Sequence, residues 1–161
     1  MIDFLVIGGG IAGTSVGARL SHLGDVVLLE EEEALGFHAS GRSAALYEET
    51  YGLPSTLALN HASKAYHMEA NGGVLSPRGL MLIGTEATHE AFAADFPKMK
   101  MARLTLDEAR EIVPILDPAV VTEVGYRTEA WDIDTDLMIQ NFAREIRANG
   151  GRVEMRAHVR S

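Results

Sequence analysis

Phe4-Leu-Val-Ile-Gly8-Gly-Gly10-Ile-Ala-Gly13 runs a short apolar stretch into a glycine turn, and Glu30 closes the next apolar stretch, Val26-Val-Leu-Leu29. Four consecutive apolar residues are too few for a buried helix and suit a parallel strand covered on both faces. Phe4 to Ile7 and Val26 to Leu29 are therefore expected as neighbouring central strands. Between them Ile11, Ala12, Val16, Leu20 and Leu23 recur on one side of a helix that Gly24 ends. Strand, glycine turn, helix and strand make a right-handed crossover, the first unit of an α/β, Rossmann-like sheet.

The three glycines have separate tasks in such a unit. Gly8 permits the tight turn, Gly10 lets a pyrophosphate approach the backbone, and Gly13 lets the helix pack on the strand. The pyrophosphate would face the first N–H groups and the positive dipole end of the helix at Ile11. A carboxylate at Glu30 accepts hydrogen bonds from ribose hydroxyls and repels a 2′-phosphate, which points to FAD or NAD rather than NADP.

Lys and Arg number 14 against 23 Asp and Glu, a formal net charge of −9 that argues against a nucleic-acid partner. An anionic cofactor is not excluded, because helix dipole and backbone donors act locally. The 161 residues are 47% hydrophobic, enough for an ordinary globular core. The absence of cysteine removes disulfides, thiolate catalysis and a cysteinyl flavin link, and it fits a reducing compartment. Asp3 stands where a secretory signal would carry basic residues, and Gly8 interrupts the first apolar run. A cytoplasmic protein without a membrane span is the expectation.

Glu31, Glu32 and Glu33 read as a solvated turn. Gly36 to Ala45 crowds small residues and hydroxyls without periodicity, as a backbone does when it lies against a ligand, and is the second expected cofactor contact. A helix starts at Pro54 and stops at Asn71-Gly72-Gly73; His61 and His67 on it lack the acidic company of metal ligands and read as surface histidines. Leu80 to Ile83 and Val120 to Tyr126 read as strands. Thr105-Leu-Asp-Glu108 is a capping box whose helix turns Leu106, Ala109, Ile112 and Val113 inward, so Asp107, Glu108 and Glu111 read as capping and solvated groups rather than an acid/base pair. Asp134 caps a helix over 135–149 with Leu137, Met138, Phe142 and Ile146 on its apolar face, and a strand follows from Val153 to Val159.

The glycine turn, Glu30 and Phe37-His-Ala-Ser-Gly-Arg-Ser-Ala-Ala-Leu-Tyr-Glu-Glu-Thr-Tyr-Gly52 together resemble the N-terminal half of the glycine and D-amino-acid oxidase (DAO) family of FAD flavoproteins, most closely its D-arginine dehydrogenase branch. Asp132-Ile-Asp-Thr-Asp136 and Gly150-Gly-Arg-Val153 carry the resemblance further. It implies pyrophosphate contacts at Gly8, Gly10, Ala12 and Gly13, and ribose contact at Glu30. Glu31 stands where a basic residue commonly touches the adenosine. Flavin contacts are implied along Ala39, Ser40, Gly41, Arg42, Ser43, Ala44, Ala45 and Leu46, and an adenine contact from the Val159 backbone. The last strand is implied to return beside the Gly8 strand.

On the substrate side the resemblance implies Tyr51, with Leu46 and Leu80 at positions where the D-arginine branch carries a histidine and a glutamate. No residue of this chain is implied to be a catalytic acid or base, and none to bind metal. Residues 1–50 and 151–161 would form an incomplete FAD-binding sheet and 51–150 an α+β insertion on the substrate side, as an N-terminal portion of a longer enzyme. The implied activity is FAD-dependent oxidation of the amine-bearing carbon of an amino acid or related amine to an imine, with an electron acceptor that sequence does not name. An NAD-dependent dehydrogenase and a non-catalytic dinucleotide-binding fragment are the alternatives.

Overall fold

A computed structural model describes residues 1–160. In chain order its elements are β1 (Phe4–Ile7), α1 (Ile11–Leu20), β2 (Val26–Leu29), β3 (Leu46–Tyr47), α2 (Pro54–Glu69), β4 (Leu75–Pro77), β5 (Leu80–Gly84), α3 (His89–Asp95), β6 (Ala102–Leu104), α4 (Leu106–Ile112), β7 (Glu123–Arg127), β8 (Trp131–Ile133), α5 (Thr135–Ala148) and β9 (Arg152–Glu154). No helix among the described residues is long and apolar enough to cross a membrane.

Two compact units result: residues 1–45, 69–74 and 133 onward form the first, and residues 46–68 and 75–132 the second. These bounds differ from the sequence expectation of 1–50 with 151–161 and 51–150. The largest change is α5, whose Ile146 and Phe142 are buried in the first unit.

In the first unit β1 and β2 pair in parallel, Phe4 opposite Val26 through Ile7 opposite Leu29, as the crossover requires. The third strand is placed differently from the expectation. β9 lies on the other edge of β2, Val27 opposite Arg152 through Leu29 opposite Glu154, and not beside β1. It is also short, because Arg156 takes a left-handed φ of 56° and turns the chain so that the N–H groups of Arg156 and Ala157 bond the carbonyls of Glu32 and Glu30. Gly151 makes this placement possible: a Cβ there would stand 2.9 Å from the Val26 carbonyl oxygen and 2.7 Å from Ile146 Cγ2.

β2 is thus the central strand, with Val26, Val27 and Leu28 buried. Among the described residues β1 lies at the sheet edge, and only its Val6 face is covered rather than both faces as expected; Leu5 and Ile7, on the other face, are 56% and 64% exposed.

The inward face of α1 is also different from the apolar stripe expected. Thr14, Gly17 and Ala18 are buried, followed by Ser21, whereas Val16 and Leu23 are 48% and 77% exposed and Ala12 faces outward. Small residues line that face because α5 packs closely on it: a Cβ on Gly17 would come within 2.9 Å of Ile146 Cδ1. The Thr14 hydroxyl, buried there, donates to the Gly10 carbonyl at 2.9 Å. Asp134 caps α5 as expected, accepting from the Leu137 N–H at 2.8 Å, and the buried face is Met138, Ile139, Phe142, Ala143 and Ile146, with Leu137 at its border.

The second unit holds two sheets, ordered β3-β8-β4, in which β3 and β8 are antiparallel, and β5-β7-β6, antiparallel throughout. Ala109, Val121 and Val124 form a core under Met81, Leu104, Leu106 and Leu116, while Ile112 is 48% exposed rather than inward. The capping box is formed: Glu108 accepts from the Thr105 N–H at 2.8 Å and the Glu108 N–H donates to the Thr105 hydroxyl at 3.3 Å.

Candidate functional site

The turn between β1 and α1 is built by glycines that admit no side chain. Gly8 has φ 105°, and the Gly8 N–H donates to Leu29 O at 2.8 Å, holding the turn on β2. A Cβ on Gly13 would overlap the Gly8 carbonyl, and one on Gly9 would meet Leu35 Cδ2 at 2.5 Å and Glu30 Oε2 at 2.9 Å. Gly10 differs: its Cβ direction meets only the Ser40 hydroxyl, at 3.2 Å.

The segment 36–42 closes over this turn. The Gly36 N–H donates to Gly9 O at 3.0 Å, the Gly41 N–H to Gly36 O at 2.7 Å, and the Ser40 hydroxyl accepts from the Ile11 N–H at 3.0 Å. Ser40 therefore satisfies one of the first-turn donors of α1 from 29 residues away. The N–H groups of Ala12 and Gly13, also in the first turn, have no carbonyl of their own helix to bond. Arg42 lies with its guanidinium 5.4 Å from the Phe37 ring centre, on the same short 3-10 turn, Ala39–Arg42. Ala45 takes φ 53°, strained for a residue with a Cβ, where the chain leaves this segment.

Glu30 ends β2 and is buried. Its carboxylate accepts from the Gly9 N–H at 2.5 Å and the Glu32 N–H at 2.9 Å. Burial pushes the carboxyl upward, but the backbone donors of Glu32, Gly9 and Glu31, with His38 nearby, outweigh it and hold Glu30 below the usual carboxylate range. Each of the three following glutamates has a partner: Glu31 faces His158 at 3.3 Å, Glu32 faces His38 at 2.9 Å and Glu33 faces Arg156 at 3.2 Å. Val159 follows in irregular, exposed chain.

In the second unit Tyr51 is 73% exposed and lines an open pocket with Thr50, Gly52, Leu53, Asp95, Lys98 and Met99. Leu46 and Leu80 do not line it. They sit on different sheets, Leu46 opposite Asp132 and Leu80 opposite Arg127. Under the Tyr51 loop lie two buried acids. Glu48 Oε1 accepts from the Thr50 N–H at 2.7 Å and from Arg127 at 3.2 Å, and Glu49 pairs with Lys64 and, at 3.0 Å, with His61. Burial raises the Glu49 carboxyl, and Lys64 and His61 bring it back below the ordinary range. His61 is a surface residue as expected, its side chain 63% exposed, and it also anchors an acid, while Lys64 lies 4.3 Å from the Trp131 ring centre.

The family model described as "FAD dependent oxidoreductase" (DAO) matches residues 3–161. The chain belongs to that family. Solved structures share its fold. The L-α-glycerophosphate oxidase of Mycoplasma pneumoniae, with FAD bound, superposes with a TM-score of 0.78 at 18% identity, covering 96% of this chain and 44% of that one. The glycine oxidase of Bacillus cereus gives 0.76 at 21% identity over 97% and 48%, and the L-proline dehydrogenase of P. horikoshii gives 0.77 at 19% over 99% and 45%. The chain therefore spans a little under half the length of these structures.

Against the needs of an FAD-dependent family, the first unit supplies the right donors. The room at Gly10, where a Cβ would meet the Ser40 hydroxyl and nothing else, the first-turn N–H groups of α1 and the dipole behind them suit a pyrophosphate, and a buried, ionised Glu30 suits ribose hydroxyls. Sequence reading missed the ties between these parts, Gly9 to Glu30 and Ile11 to Ser40, for which the spacing alone gives no signal. It also missed the Glu48 and Arg127 pair, whose one trace is two adjacent acids following an apolar strand.

Proposed function

We propose that the protein is an FAD-dependent oxidoreductase that oxidises the amine-bearing carbon of an amino acid or related amine to an imine. The observation that carries this reading is the cradle in which Glu30, Gly9, Ser40 and the first turn of α1 are tied together by hydrogen bonds. Ala12 and Gly13 would donate backbone N–H groups to the pyrophosphate, with Gly8 and Gly10 leaving it room. Glu30 would take the ribose, and the Val159 backbone the adenine. Residues 39–46 would run along the flavin, with the Arg42 charge beside it.

Bound flavin supplies a two-electron acceptor for the hydride of the substrate carbon. The chain's own contribution is to bind, orient and exclude. Tyr51 would contact the substrate; Leu46 and Leu80, expected on the same side, sit on two other strands and do not line its pocket. No side chain of this chain is assigned a proton-transfer step. The names of two of the structural relatives, a glycine oxidase and an L-proline dehydrogenase, favour an amino-acid substrate.

Visible absorption during titration with FAD and with NAD tests the cofactor, and anaerobic bleaching of the flavin by glycine, sarcosine and D- and L-amino acids tests the substrate class. Glycerol 3-phosphate, suggested by the name of another relative, is the contrasting arm. From the intact enzyme a stoichiometric yellow complex bleached by an amino acid is expected. Bleaching by glycerol 3-phosphate alone would overturn the amine reading, and NAD binding without FAD binding would overturn the cofactor.

A further inference from the structure

Tyr51 is itself exposed, so its position is set by what holds its neighbours. Thr50 is fixed twice by one atom: Glu48 Oε1 accepts from the Thr50 N–H at 2.7 Å and from its hydroxyl at 2.5 Å. The same oxygen accepts from Arg127 Nη1 at 3.2 Å, and that nitrogen also donates to the Met99 carbonyl at 3.4 Å. Thr50 and Met99 come from two separate sequence segments that line the same pocket as Tyr51. Glu48 and Arg127 thus join the two segments through a single pair of buried atoms, their side chains 6% and 11% exposed.

The arrangement is not a generic surface ion pair. Glu48 Oε2 is buried with no hydrogen-bond partner, while Oε1 collects every bond. A carboxylate held in this lopsided way gives up solvation to keep one oxygen at the junction. Arg127 is in turn flanked by Glu129 at 3.6 Å, which steers its Nε while Nη1 faces the junction.

We propose that Arg127 and Glu48 are positioning residues that fix the Tyr51 loop against the Met99 segment and so set the width of the substrate pocket. This rests on the reading of Tyr51 as substrate-side. Neither residue touches substrate; they act through Thr50 and Met99.

Two measurements on the intact protein test it. In the wild type, the Thr50 amide should exchange with solvent far more slowly than the intrinsic rate of an unstructured chain of the same sequence; exchange at that intrinsic rate would overturn the proposal without any variant or substrate. Arg127→Met alone strands a buried carboxylate and so mixes loss of stability with loss of position; the decisive variant is therefore the charge-free double Arg127→Met with Glu48→Gln, in which Gln keeps an oxygen for Thr50. With flavin content unchanged, KM for the best amino acid should rise at least tenfold while kcat changes less than threefold. Unchanged KM, or loss of kcat with KM intact, would overturn the proposal. A double variant that does not fold assigns the pair to stability and overturns it too. Wild-type protein that oxidises no amine would instead sink the function reading, and the Thr50 exchange rate would still decide whether the pair holds the loop.

Discussion

The Glu30 carboxylate reaches back from the end of β2 to accept a hydrogen bond from the Gly9 N–H at 2.5 Å, so the acid proposed for the ribose is also a strut of the glycine turn. Both residues are buried. Removing the carboxylate therefore leaves a buried donor without an acceptor. Glu30→Ala should cost about 1.5–3 kcal/mol of stability in the absence of any cofactor, by the usual worth of a hydrogen bond to a charged group, as read by chemical denaturation.

The same group gives a pH dependence of defined sign. Its folded-state pKa lies below the unfolded value, since backbone donors favour the ionised form more than burial opposes it. The stability it contributes is fully present above the ordinary carboxylate range and is lost as pH falls through the depressed folded value. Denaturation of wild type and Glu30→Gln across acid pH should show curves that converge at low pH; parallel curves would refute the linkage.

Two glycines of the turn should fail in different ways. Gly13→Ala drives a Cβ into the Gly8 carbonyl and should destabilise the fold by about 1–3 kcal/mol or more, as overpacking does. Gly10→Val presses only on the Ser40 hydroxyl, 3.2 Å from the Cβ position, and should change stability by about 1 kcal/mol, on the scale of helix-capping effects, while abolishing FAD binding to the intact protein. Thermal melts and flavin content of the two purified variants separate these outcomes.

Ser40→Ala removes the acceptor that the Ile11 N–H uses. A loss of about 0.5–2 kcal/mol is expected, as for a deleted N-cap, although Ser40 lies far from α1 in sequence. A melt unchanged from wild type would show that water replaces the hydroxyl.

D-Arginine should be a poor substrate. Leu80 stands where the D-arginine branch would carry a glutamate, and the residue opposite it on β7 is Arg127, whose own charge is already paired with Glu48 and Glu129. Burying a cation there without an acid costs several kcal/mol. Steady-state comparison with D-leucine, D-methionine, glycine and sarcosine should place D-arginine last in kcat/KM; a preference for it would show that another acid, such as Glu129, serves the guanidinium.

Local chemistry in the sequence determined β1, β2, the glycine turn, the Asp134 cap and the Thr105 capping box, because each depends on residues within a few positions of one another. The pairing of β1 with β2 also followed, since a short crossover leaves adjacent strands no other arrangement. The inward side of α1 did not. Hydrophobic periodicity selects Val16 and Leu23, whereas the neighbour α5 selects Gly17 and Ala18, because close helix contact rewards small residues over apolar ones. The place of β9 beside β2, the exposure of Leu5 and Ile7 on β1, and the meeting of Glu48 with Arg127 across 79 residues were likewise decided by tertiary structure alone. These depend on which distant segment occupies a strand edge or fills a buried charge's need for a partner, and no local pattern in the chain encodes that choice.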